Sequence, residues 1–163
     1  MLRELDEYDL AGLLDRLAPA LARQDPAFER LAAEHRLSEG DVEQARTFQR
    51  LFEVLLSHWQ TAPAIEAADI EPWPAFRGRV DRGLERMTEG SRRGRRAVAF
   101  TSGGYIGAAA ARVLGAPDRA ALELSWRLRN ASLTHLIFSP GRLTLDDFNA
   151  VPHLPDPAHR TFR

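Results

Sequence analysis

Apolar residues follow two different periods along the chain, helical in the first half and strand-like in parts of the second. Val42, Ala45, Phe48, Phe52, Leu55, Leu56 and Trp59 recur at three- and four-residue steps. This spacing predicts one long amphipathic helix, and Ser38, three residues before Asp41, resembles a capping box that opens it. Leu10 to Leu21 and Phe28 to His35 predict two shorter helices, divided at Asp25-Pro26, a step that favours a turn. Ala62 to Ile70 reads as a loop of alanine, proline and acidic residues. Trp73, Phe76, Val80, Leu84 and Met87 then share a helical face, with Pro72 at its start and Gly90 past its end.

The period changes after residue 90. Ala97-Val98-Ala99-Phe100-Thr101 is a short continuous apolar run, the pattern of a strand covered on both faces, and it leads into Ser102-Gly103-Gly104 and an alanine-rich helix through Leu114. Gly115 and Pro117 stop that helix. Asp118 is placed to cap a further short helix, and Ala131 to Phe138 alternates small polar with large apolar residues, as a half-buried strand does. Ser139-Pro140-Gly141-Arg142 turns this strand back into Leu143-Thr144-Leu145. The pattern predicts a single α/β domain over residues 1–163: mainly helical over 1–90, sheet-forming over 91–154, with a tail at 155–163.

Composition narrows the function. A chain of 163 residues, 44% hydrophobic and 28% charged, suits one soluble globular domain. The formal net charge of -1 gives no overall basic field to recruit nucleic acid or an anionic membrane. Every basic residue is arginine, which excludes a phosphate-loop lysine and any lysine Schiff base. The absence of cysteine removes disulfides, thiolate nucleophiles and cysteine metal sites. Leu2-Arg3-Glu4-Leu5-Asp6-Glu7 is too charged for a signal peptide, and no apolar run approaches membrane-spanning length, so a cytoplasmic location is expected.

Phe100-Thr101-Ser102-Gly103-Gly104 is the most informative local feature, a buried strand ending in small residues at a helix start. The unpaired N–H groups of a first helical turn favour an anion, which places a phosphate at Gly103, Gly104 and Tyr105. Equally, the glycines allow a tight strand-to-helix turn, with Ser102 as its cap. Arg92-Arg93-Gly94-Arg95-Arg96 reads as a solvated basic run, and Trp59 and Trp73 as core residues on helical faces. His135 reads as a strand side chain and His153 as structural, and no spacing of histidines and acids suggests a metal site or a cofactor.

Val98-Ala99-Phe100-Thr101-Ser102-Gly103-Gly104-Tyr105-Ile106 resembles the segment of histidine phosphatases in which a strand ends in Ser/Thr-His-Gly-Gly. Two further stretches follow in the family's order. Asn130-Ala131-Ser132-Leu133-Thr134 is similar to its Asn-x-Ser-hydrophobic-Thr strand, and Phe148-Asn149 with His153-Leu154 to its closing tail. Upstream, Leu5-Asp6-Glu7-Tyr8-Asp9 resembles the segment that supplies the family's acidic residue, with Leu2-Arg3-Glu4 as the other alignment.

The resemblance implies a three-layer α/β/α, phosphoglycerate mutase-like domain that is incomplete, with N-terminal strands of its sheet missing. It implies phosphoryl transfer through a phosphohistidine, with Glu7 as proton donor, Ser102, Gly103 and Gly104 as phosphate contacts, no metal and no cofactor. The family's nucleophilic histidine belongs to an Arg-His-Gly motif, and none of His35, His58, His135, His153 and His159 lies in one. Ser102 stands where the family has its second histidine; a hydroxyl can bond a phosphate oxygen but contributes no imidazolium charge. Two expectations follow. In one, Met1 is an internal codon and the enzyme's front segment lies upstream. In the other, the chain is a non-catalytic phosphate-binding or protein-interaction module. The partners implied are a phosphorylated small molecule or phosphoprotein and, through an exposed sheet, a further copy of the chain, with neither nucleic acid nor membrane.

Overall fold

A computed structural model describes residues 2–61, 69–90 and 94–162. Most of the expected loop at 62–70, and Arg92 and Arg93 of the basic run, lie outside the described residues. The chain divides into two compact units, Asp9–Pro74 and Met1–Tyr8 with Ala75–Arg163.

The Asp9–Pro74 unit is helical. Helix α1 (Leu10–Gly12), a π-helical turn (Leu13–Leu17) and α2 (Ala18–Gln24) run without a break into one another. Asp9 opens the run by accepting the Gly12 N–H at 2.8 Å, and an Arg16 guanidinium holds its other oxygen at 2.7 Å. A Cβ at Gly12 would lie 2.1 Å from that carboxylate, so the cap requires glycine there. Asp25 caps α3 (Pro26–Leu37) through the Ala27 N–H at 2.8 Å, with proline in the first turn where its missing N–H costs nothing.

The long helix predicted from the hydrophobic period is α4 (Asp41–Thr61), and it buries Leu51, Phe52, Leu55, Leu56 and Trp59. Ser38 does not open it. Its hydroxyl instead donates to the His35 carbonyl at 2.7 Å and accepts from Thr47 at 3.1 Å, closing α3, while α4 starts at Asp41 and leaves Gly40, not Ser38, as the residue before it. Trp59 and Trp73 are both buried, their rings edge to face at 5.1 Å, and the Trp59 Nε1–H donates to the Glu71 carbonyl at 2.9 Å. Both tryptophans are core residues, as the helical faces indicated.

The other unit begins with a 3-10 turn (Arg3–Leu5) and resumes within α5 (Trp73–Thr88), whose Phe76, Val80 and Leu84 are buried. Helix α6 (Gly103–Leu114) is buried along Tyr105 and Ala108–Ala111, and Gly115, with φ +63°, ends it in the left-handed conformation. Helix α7 (Asp118–Ser125) packs so closely on α6 that a Cβ at Gly107 would lie 2.3 Å from the Ala121 carbonyl. Asp118 is the first residue of α7 rather than its cap, and its carboxylate pairs with Arg77 at 2.7 Å.

Strands β1 (Leu133–Ser139) and β2 (Arg142–Ala150) form an antiparallel hairpin turning at Pro140-Gly141, as predicted, with β2 running five residues past the predicted Leu145. Residues 97–101 depart from expectation. They join no strand ladder among the described residues, and Val98 is 84% and Phe100 94% exposed. A run apolar on both faces becomes a covered strand only when neighbouring strands satisfy its backbone and helices cover it, and among the described residues the sheet consists of β1 and β2 alone. The architecture is thus helix-rich α/β.

Candidate functional site at the start of α6

Ser102 occupies the residue position before α6 in an extended conformation, but its hydroxyl makes no capping bond. Its Oγ is buried with no hydrogen-bond partner among the described residues. The carboxylate that serves this turn comes from far away in sequence. Glu7 Oε2 accepts the Gly104 N–H at 2.9 Å, while Oε1 accepts the Tyr8 N–H at 3.1 Å. An anionic oxygen therefore already lies on a first-turn amide of α6, where the peptide dipoles favour negative charge.

Gly104 has a steric reason beyond turn formation. A Cβ there would sit 2.1 Å from Glu7 Oε1 and 2.3 Å from the Tyr8 ring. The glycine admits the Glu7-Tyr8 pair onto α6, a role that no local reading of Ser102-Gly103-Gly104 exposes. The structure brings Glu7, Ser102 and Gly104 together, and Gly103 is the first residue of the same helix.

Glu4, the other acidic candidate, faces elsewhere. Its carboxylate pairs with Arg86 of α5 at 2.6 Å. A backbone N–H hydrogen bond, and then Arg86, hold its carboxyl below the usual carboxylate range. Tyr105 lies one residue past the turn, and burial pushes its phenol up to about 12; its hydroxyl donates to the Val80 carbonyl at 3.3 Å.

Three contacts escaped sequence reasoning. Thr101 Oγ1 donates to the Leu5 carbonyl at 2.5 Å, Arg79 reaches the carbonyls of the 3–7 segment, and the Phe76 ring meets the Tyr8 ring edge-on at 5.7 Å. No spacing announces them, because each joins positions more than 65 residues apart.

Two of the motif residues further on, Asn130 and Asn149, tie chain segments together. Asn149, with φ +60°, accepts the Arg129 N–H at 2.8 Å and donates to the Arg127 carbonyl at 2.6 Å, so its side chain ties β2 to the 127–129 segment. Asn130 donates to Thr161 at 2.9 Å, and His153 is exposed. The hairpin also gathers His135, Asp146 and Asp147, whose ligand atoms lie within 4.8 Å of one another. A register shift beside His135 brings the two consecutive carboxylates to it, which sequence spacing did not suggest. All three are exposed, and the His135–Asp146 hydrogen bond of 2.8 Å gives them an ordinary surface role.

The family model described as histidine phosphatase superfamily (branch 1) matches residues 16–151. The chain belongs to the histidine phosphatase superfamily. The match includes the Ser102-Gly103-Gly104 turn and Asn130 and Asn149, but begins after Glu4 and Glu7 and ends before His153. For this superfamily domain the helix-rich α/β fold is that of a partial phosphoglycerate mutase-like domain. No curated protein and no solved structure matches the chain. Among the described residues, no helix is long and apolar enough to cross a membrane.

Proposed function

We propose that residues 1–163 form a single domain carrying the phosphate-binding part of a histidine phosphatase site, with Ser102, Gly103 and Gly104 holding the phosphoryl oxygens of a phosphorylated small molecule or phosphoprotein. The observation that carries this reading is the Glu7 carboxylate on the Gly104 N–H at 2.9 Å, beside the buried, unpartnered Ser102 hydroxyl. A carboxylate oxygen is already accommodated there, and the Ser102 hydroxyl is committed to no other partner among the described residues. Glu7 is the site's proton donor in this reading, because its carboxyl lies at the turn while that of Glu4 is committed to Arg86.

The 163 residues contain no Arg-His-Gly sequence, so this chain on its own binds phosphate without turning it over. Phosphohistidine chemistry needs an imidazole in line with phosphorus and arginines on the equatorial oxygens. The second reading, a non-catalytic phosphate-binding or protein-interaction module, is favoured by the exposure of Val98 and Phe100, along which a second copy could pair.

The test compares the chain, its Ser102→His variant and the chain joined at its N-terminus to an Arg-His-Gly-bearing strand, using an aryl phosphate and acid-labile phosphoenzyme trapping. Turnover is expected from the joined chain alone, and it should fall on Glu7→Gln more than on Glu4→Gln. Turnover by the 163 residues that vanishes when one of the five histidines is replaced would overturn the assignment.

A further inference from the structure

Residues 3–7 form one 3-10 turn followed by irregular backbone, with no ladder to hold them, yet Glu7 is presented to α6 at hydrogen-bond distance. A short turn pairs few of its own carbonyls, here that of Arg3 with the Asp6 N–H at 3.2 Å. The carbonyls of Arg3, Glu4, Asp6 and Glu7 converge on one guanidinium, that of Arg79 on α5. Its Nη1 donates to the Asp6 carbonyl at 2.5 Å and lies 3.4 Å from the carbonyls of Arg3 and Glu4, while Nη2 lies 3.3 Å from the Glu7 carbonyl.

The same turn of α5 reaches the other side of Glu7. The Arg79 guanidinium sits over the Phe76 ring at 5.0 Å, and that ring meets Tyr8 edge-on at 5.7 Å. The backbone before the Glu7 carboxylate and the side chain after it are thus fixed by residues one turn apart on α5. Glu4 to Arg86 and Leu5 to Thr101 add two further ties, but both end upstream of Glu7.

We infer that Arg79 is the positioning residue of the site: it sets the Glu7 carboxylate on the first-turn amide of α6 and acts on that turn through Glu7. This rests on reading the Ser102–Gly104 turn as the anion site, and adds the device that places its carboxylate. Arginine is suited to it because a planar fork of five donors reaches several carbonyls at once, whereas an ammonium on a flexible stem satisfies them one at a time. A lysine at position 79 keeps the charge and loses the geometry.

Amide hydrogen exchange on the full chain distinguishes positioning from bulk stability. The Gly104 N–H lies in the first helical turn, so its protection depends on Glu7 rather than on the helix ladder. In Glu7→Ala, Gly104 should exchange about tenfold faster while Ala108–Ala111 exchange as before. Arg79→Lys and Arg79→Gln should reproduce that pattern, with Lys failing to rescue.

A purely structural Arg79 would speed exchange across α6 uniformly, or leave Gly104 as protected as in the unaltered chain, and either result in the mild Arg79→Lys variant overturns the inference. Titration with millimolar inorganic phosphate is read separately. If phosphate leaves the Ser102–Tyr105 amides unmoved while Gly104 protection still depends on Arg79, the anion site fails and the positioning stands. If phosphate moves those amides but Gly104 protection is indifferent to Arg79, the anion site stands and the positioning fails.

Discussion

Two apolar runs meet at Ser102 and have opposite fates. Before it, Val98 and Phe100 are 84% and 94% exposed; after it, Tyr105 and Ala108–Ala111 are buried. Composition does not separate them, since the run before Ser102 carries the bulkier side chains. The difference lies in what each needs from its surroundings. A helix satisfies its own backbone and needs only side-chain cover, which α7, Tyr8 and the buried face of α5 supply to α6. A strand needs a neighbour for its backbone before its side chains can be covered at all. Hydrophobic pattern states what a segment can bury; the neighbour decides whether it does.

The largest expected effect probes the covered side of this contrast. Gly107→Val forces a branched side chain into the Ala121 carbonyl, where even a Cβ would stand 2.3 Å away, and should cost about 3 kcal/mol, lowering Tm by roughly 6–12 °C in thermal melting. A wild-type melting curve from that variant would mean that α6 and α7 do not pack as described.

Next in size is an alkaline effect at the same helix. The Tyr105 phenol is pushed up to about 12 in the fold from an ordinary 10.0. Between these values the unfolded chain has released the proton and the folded chain has not, so stability is full below pH 10 and falls as pH rises toward 12, by up to about tenfold in the folding constant per pH unit. Chemical denaturation across this range should show the fall, and Tyr105→Phe should flatten it. A smaller effect concerns the turn itself: Glu7→Gln removes a negative charge from the α6 amides and should tighten phosphate about threefold by NMR titration.

The smallest effect tests the uncovered side. Val98→Ser and Phe100→Ser should change the stability of the chain by no more than about 0.5 kcal/mol, as surface substitutions do. If either costs as much as Gly107→Val, residues 97–101 are covered in solution, and light scattering should then find the second copy that covers them.

The helices of this fold were legible because each carries its own evidence: the stripe from Phe48 to Trp59, the Asp25-Pro26 start of α3, and Gly115 at the end of α6 are all local signals. The hairpin was legible for the same reason, from Pro140-Gly141 between alternating residues. The 97–101 segment was not legible, because its fate depends on residues elsewhere. The candidate site was half legible. Ser102-Gly103-Gly104 and Glu7 could each be picked out, but nothing in the sequence showed that the Glu7 carboxylate lies on the Gly104 amide, or that Gly104 lacks a side chain to admit Glu7 and Tyr8. Ser38 shows the same limit on a smaller scale: its hydroxyl closes α3 on the His35 carbonyl, and α4 begins three residues later at Asp41.

The start of α6 is proposed as the anion site of this histidine phosphatase domain. Titration of the full chain with inorganic phosphate, followed residue by residue in ¹⁵N NMR, tests it most directly. The expected result is saturable movement of the Ser102, Gly103, Gly104 and Tyr105 amides, with Tyr8 following as Glu7 yields the Gly104 N–H. Movement confined to the arginines at 95 and 96, with the α6 turn unaltered, would contradict it.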